Sequence, residues 1–135
     1  MRADKLHATL VFVGEIDESI LQELRRATHA VHADGFEICF DLADYWEHNH
    51  IVFAAPVNIP VQLQNLVRNL ENSLAHCNVR FDHREYKPHI TLLRNARWNN
   101  TTFPAMQKVC WQVGEFVLVQ SVQQEYRVLE RYSLS

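Results

Sequence analysis

Two short stretches decide how this chain is read: His7-Ala8-Thr9-Leu10-Val11 and His89-Ile90-Thr91-Leu92-Leu93. Both read His-x-Thr-Leu, both lie in runs of apolar and β-branched residues, and both predict strands. In a strand, residues i and i+2 point to the same side. His7 and Thr9 are therefore expected to project together, as are His89 and Thr91. Ala8, Leu10, Ile90 and Leu92 turn the other way, into packing. The repetition predicts two related halves offering matched imidazoles and hydroxyls to a shared groove. One such motif would say little, since threonine is common in strands. Two copies, with Pro88 before the second and Arg94 after it, outweigh a reading as two unrelated core histidines.

The chemistry of that set is specific. Imidazole titrates near neutral pH, so one ring can accept a proton from an attacking water while the other gives one to a leaving oxygen. Threonine hydroxyls can donate to the non-bridging oxygens of a phosphate as charge builds. The guanidinium of Arg94 adds a cation with bidentate capacity for phosphate. In-line opening of a phosphodiester, with no metal or cofactor required, uses all of these parts.

The remainder of the chain is unexceptional. Its 135 residues suit one domain, and 47% hydrophobic with 21% charged residues is the usual globular balance. Thirteen basic against sixteen acidic residues leave a net charge of −3, so no overall positive field draws the protein onto nucleic acid. Any contact with RNA is expected to be local, at an end or a single phosphate. Cys39, Cys77 and Cys110 form an odd set without CxxC spacing. They are expected to be buried hydrophobes rather than a disulfide framework, and a reducing cytoplasm is the expected location. No apolar run approaches the ~18 residues a membrane span needs.

Around the two motifs the elements alternate. Lys5 to Val13 predicts a strand, and Asp17 predicts the cap of a helix carrying Ile20, Leu21, Leu24, Ala27 and Val31 that Asp34-Gly35 stops. Phe36–Leu42 predicts a strand, Asp44–Asn49 a polar turn with Tyr45 and Trp46, and His50–Ala55 another strand. A second amphipathic helix is predicted over about Val61–His76, and Pro88 opens the strand His89–Arg94. Asn95–Met106 reads as a loop with Asn-Asn-Thr-Thr at its tip. Strands at about Val109–Val113, Glu115–Val122 and Tyr126–Tyr132 complete an α+β chain with antiparallel sheets. Of the eight histidines, His48 and His50 could begin a metal site, but spacing offers no third ligand.

The stretches Ala3–Glu15 and Arg84–Arg94 resemble the 2H phosphoesterase superfamily, most of all its bacterial RNA 2′,3′-cyclic phosphodiesterases, the 2′-5′ RNA ligase family. The resemblance runs through nearly the whole chain. It implies a two-lobed α+β fold, with two antiparallel sheets around a central cleft and helices outside, over residues 1–135 as one domain. It implies His7 and His89 as catalytic residues and Thr9, Thr91 and Arg94 as phosphate ligands, with no metal and no cofactor. The implied activity is hydrolysis of 2′,3′-cyclic phosphodiesters on RNA ends or nucleotides, with reverse 2′-5′ ligation; the alternative is a catalytically weak RNA-end or nucleotide-binding module. Tyr86, where the family commonly has Phe, and Trp46 are candidates to stack on a base. Family members carry a strand and a helix ahead of the first motif, whereas six residues precede His7 here. The domain is therefore expected to be N-terminally short, with an exposed sheet edge through which a homo-oligomer could form.

Overall fold

A computed structural model describes residues 5–99 and 103–135. Two helices, α1 (Glu18–His29) and α2 (Val61–His76), are set among seven strands. These are β1 (Phe36–Phe40), β2 (Leu42–Trp46), β3 (Ile51–Ala55), β4 (Ile90–Leu93), β5 (Val109–Val113), β6 (Glu115–Val122) and β7 (Glu125–Ser133). The α+β class holds. Hydrogen bonding sorts the strands into ladders β1-β5, β2-β3-β4 and β6-β7. The chain divides into two compact units: one takes residues up to Thr9 with Glu37–Ile59 and Lys87–Trp111, the other Leu10–Phe36, Pro60–Tyr86 and Gln112–Ser135.

The second unit follows the sequence pattern closely. Asp17 caps α1, its carboxylate accepting the Ile20 N–H at 2.9 Å and the Ser19 hydroxyl at 2.7 Å. The backbone bond first, then Ser19, hold that carboxyl below its ordinary range. The helix ends at His29, earlier than Asp34-Gly35 would place it, so Val31 lies beyond it. Helix α2 buries the stripe Leu63, Leu66, Val67, Leu70 and Leu74. It closes in a Schellman motif without glycine. Asn78 takes the left-handed conformation (φ 60°), its N–H reaches the Ala75 carbonyl at 3.1 Å, and the Val79 N–H reaches that of Leu74 at 2.8 Å. Val79 and Leu74 then join Leu24 and Ala27 of α1 in one buried cluster, flanked by Val11, Val13 and Leu118.

The β6–β7 hairpin lays one face on this core. Glu130 binds two residues of α1, accepting from Arg25 Nη1 at 2.8 Å and meeting His29 Nε2 at 2.7 Å. Desolvation pushes its carboxyl up, but the His29 and Arg25 bonds together outweigh that and hold it below its ordinary range. The turn between the strands is Gln123-Gln124, both at positive φ, a conformation that no Asn or Gly announces.

Three expectations need correction. Residues 5–13 do not form a strand; the segment makes one isolated antiparallel bridge, Ala8 to Ile90. The predicted polar turn at Asp44–Asn49 begins later, because Leu42–Trp46 is a strand paired residue by residue with Ile51–Ala55. Cys39 and Cys110 are not separate hydrophobes but a disulfide between β1 and β5, which leaves Cys77 as a half-buried free thiol. Cysteines on neighbouring strands carry no spacing signal, so the odd count hid the pair. Residues 1–4 and 100–102 lie outside the described residues, taking with them the start of the first family stretch and most of the Asn-Asn-Thr-Thr tip. No described helix is long and apolar enough to cross a membrane.

Candidate active site

Both His-x-Thr motifs belong to the first unit, and the Ala8–Ile90 bridge joins them at their middle residues. They are side-by-side neighbours. Antiparallel register sets His7 against Thr91 and Thr9 against His89. Residues opposite each other share a face, so the bridge partners turn one way and the four polar residues the other.

The two imidazoles are held alike. His7 Nδ1 lies 2.7 Å from the Lys5 carbonyl, and His89 Nδ1 lies 2.8 Å from the Lys87 carbonyl. A carbonyl only accepts, so Nδ1 carries hydrogen in each ring. In the neutral form Nε2 then holds the lone pair. Each ring is thereby oriented by its own backbone, two residues upstream, and presents the same nitrogen.

The three-stranded sheet fixes the surroundings of His89. Thr91 pairs with Phe53, and Ile90 with Ala54. Register then slips, because Val52 pairs with Leu93, leaving Leu92 as the extra residue of a β-bulge. With the bulge, Leu93 takes the Val52 side and Arg94 follows beyond the strand end, while Thr91 keeps to the face of Phe53. Trp46 and Phe53 share that face: their rings stack at 3.9 Å between centroids, and Trp46 meets His89 edge to face at 4.8 Å.

The structure thus gathers His7, Thr9, His89, Thr91, Arg94 and Trp46 into one unit, with a register that turns the motif residues to one side. Tyr86 belongs to the other unit; its hydroxyl is buried without a hydrogen-bond partner, and burial pushes it up to about 12. Arg84 forks onto Asp82 through Nε at 2.8 Å and Nη2 at 2.6 Å. Among the described residues, one group of potential ligand atoms converges, on Glu37, Cys39 and Cys110, and its two sulfurs are bonded to each other. His48 and His50 sit in the β2–β3 turn, where His48 lies beside Trp46.

Two features escaped the sequence reading. Phe53 supports both Trp46 and His89, yet in sequence it is one more apolar residue in a strand. The other is a polar chain at the turn. The Tyr45 hydroxyl donates to the Ala96 carbonyl at 2.8 Å and lies 2.7 Å from His50 Nδ1, while Arg97 Nη1 lies 2.6 Å from His50 Nε2.

Comparison with known proteins gives the family. The model of the 2′-5′ RNA ligase superfamily matches residues 1–125. The chain belongs to that superfamily. The RNA 2′,3′-cyclic phosphodiesterase of Escherichia coli K12 is 30% identical over 137 residues, covering 98% of this chain and 78% of its own length. The crystal structure of E. coli LigT in apo form superposes with a TM-score of 0.86 at 28% identity, over 100% of this chain and 79% of LigT. LigT complexed with 3′-AMP gives 0.86 at 29%, with 100% and 80% covered. This member of the 2′-5′ RNA ligase superfamily therefore has the 2H phosphoesterase fold, and its homology supports phosphoesterase activity.

Proposed function

We propose that this chain hydrolyses 2′,3′-cyclic phosphodiesters at RNA ends or on nucleotides without a metal ion. His7 and His89 are the proton carriers, and Thr9, Thr91 and Arg94 hold the phosphate. The observation that carries this reading is the bridge of Ala8 to Ile90, which sets the two motifs side by side with both rings tied through Nδ1. Water attacks phosphorus opposite the leaving ribose oxygen. His89 accepts the water proton at Nε2, and protonated His7 gives a proton from Nε2 to the ribose oxygen as the P–O bond breaks. The threonine hydroxyls and Arg94 bear the charge that gathers on the non-bridging oxygens. With a ribose 5′-hydroxyl in place of water, the same steps form a 2′-5′ linkage, the ligase side of the reading.

A base attached to the ribose would stack on Trp46, whose ring touches His89; one face lies on Phe53, so the base would use the other. Tyr86 is the weaker candidate, its hydroxyl being withdrawn from water. The reported complex of LigT with 3′-AMP supports a nucleotide ligand.

Turnover of 2′,3′-cyclic AMP by the wild type, His7→Ala and His89→Ala, each with and without EDTA, tests the proposal. Loss in either variant and indifference to EDTA are expected. Full activity in either single variant would sink the two-histidine mechanism, and loss with EDTA would overturn metal independence. Binding without turnover in the wild type would favour a nucleotide-binding module.

A further inference from the structure

We propose that Tyr45, His50 and Arg97 are positioning residues for Arg94, an inference that rests on reading Arg94 as a phosphate ligand. Strand β4 ends at Leu93, and the chain then bends. Beyond the strand, alternation no longer dictates where a side chain points; the bend does. Asn95 is in the left-handed region (φ 56°), which asparagine enters more readily than most residues. The bend is fixed at both ends against one hairpin. Leu93 is laddered to Val52 of β3, and Ala96 donates its N–H to the His50 carbonyl at 2.9 Å. Only residues 94 and 95 span the gap.

The side chains complete the clamp. Tyr45 has one hydroxyl proton, and it goes to the Ala96 carbonyl. His50 Nδ1 must then be the donor in its contact with the Tyr45 oxygen, which leaves Nε2 to accept from Arg97. His50, also left-handed at φ 55°, is held at its ring and its carbonyl alike. Ala96 is bound through both its N–H and its C=O, and Arg97 through its guanidinium. The two residues after the bend are thus tied to the turn that follows Trp46. The clamp touches no reacting atom. It sets the backbone from which the Arg94 guanidinium departs.

A double-mutant cycle tests this, with Tyr45→Phe as the mild variant because the ring is retained. Two quantities are read: KM and kcat for 2′,3′-cyclic AMP, and binding of inorganic phosphate by calorimetry. Tyr45→Phe is expected to raise KM and weaken phosphate binding about tenfold with kcat changed far less, and to add nothing once Arg94→Ala is present. Arg97→Ala should behave like Tyr45→Phe, and Arg97→Lys, which keeps one donor for His50, should restore most of the loss. Equal factors for Tyr45→Phe with and without Arg94, or no effect at all, would overturn the positioning role and leave the functional reading intact. A harmless Arg94→Ala would overturn both. If the wild type binds phosphate in this pattern but turns over no cyclic nucleotide, the hydrolytic reading falls and the positioning role stands; if it does neither, both fall.

Discussion

At the scale of single residues, the decisive detail is the hydrogen on Nδ1. Each motif histidine gives it to a carbonyl two positions back, so the ring cannot flip to present the other nitrogen without losing a bond. Truncating either ring to alanine is expected to lower kcat for a 2′,3′-cyclic nucleotide by about 10²–10⁴-fold, read by steady-state kinetics. The wild-type rate should fall at both ends of the pH range, since one ring must be neutral and the other protonated. Histidine, threonine and arginine were all legible in sequence, because the motif is written twice. Phe53 and the Tyr45–His50–Arg97 chain were not. Their partners lie across a hairpin or beyond a strand, and no local period joins them.

At the scale of elements, legibility follows how each segment is paid for in contacts. Helix α2 carries a full apolar stripe and was readable to within a residue or so. The first motif segment has strand-like composition but only one bridge to a neighbour, so composition outran hydrogen bonding. Strand β2 is an edge strand with Leu42 and Asp44 exposed, and its polar side read as a turn. The bulge at Leu92 is silent in sequence, yet it shifts the register of Leu93 against β3 just before Arg94. Glu130 gives an element-scale prediction. Its carboxyl is held below the ordinary range, so the stability it adds by joining β7 to α1 is fully present above the unfolded-state value. That stability is lost as pH falls through the folded one. Glu130→Gln should therefore lower the urea midpoint at pH 7 and approach the wild type in acid, where a parallel offset at every pH would refute the assignment.

At the scale of the whole molecule, Leu66 and the disulfide are the tests of what holds the chain. Leu66 is 1% exposed, and Leu66→Ala should cost about 2–5 kcal/mol in chemical denaturation by opening a cavity in the core. The Cys39–Cys110 bond closes a sequence separation of 71 residues. Reducing it, or replacing both cysteines by serine, should cost about 2–5 kcal/mol by freeing the unfolded chain. An unchanged denaturation midpoint in dithiothreitol would mean that the bond adds no stability. The α+β class and the two helices among the later strands were legible from pattern and turn residues, whereas strand β2 and the adjacency of the two motifs were not. A bridge between residues so far apart in the chain is a tertiary fact.

The matched tethers of His7 and His89 also bear on how the proposed site keeps time. In the proposed mechanism the working pair shares one proton at Nε2, over and above those that each ring gives to its carbonyl, and either ring can hold it. Nothing in the backbone bonds prefers one seat over the other. Under the proposed mechanism, only molecules with the proton on the ring beside the departing oxygen are ready to react. Direction is then written by the ligand: the substrate, by where it places its leaving group, decides which microstate is productive. The product, arriving the other way round, finds an equally suitable partner for its return.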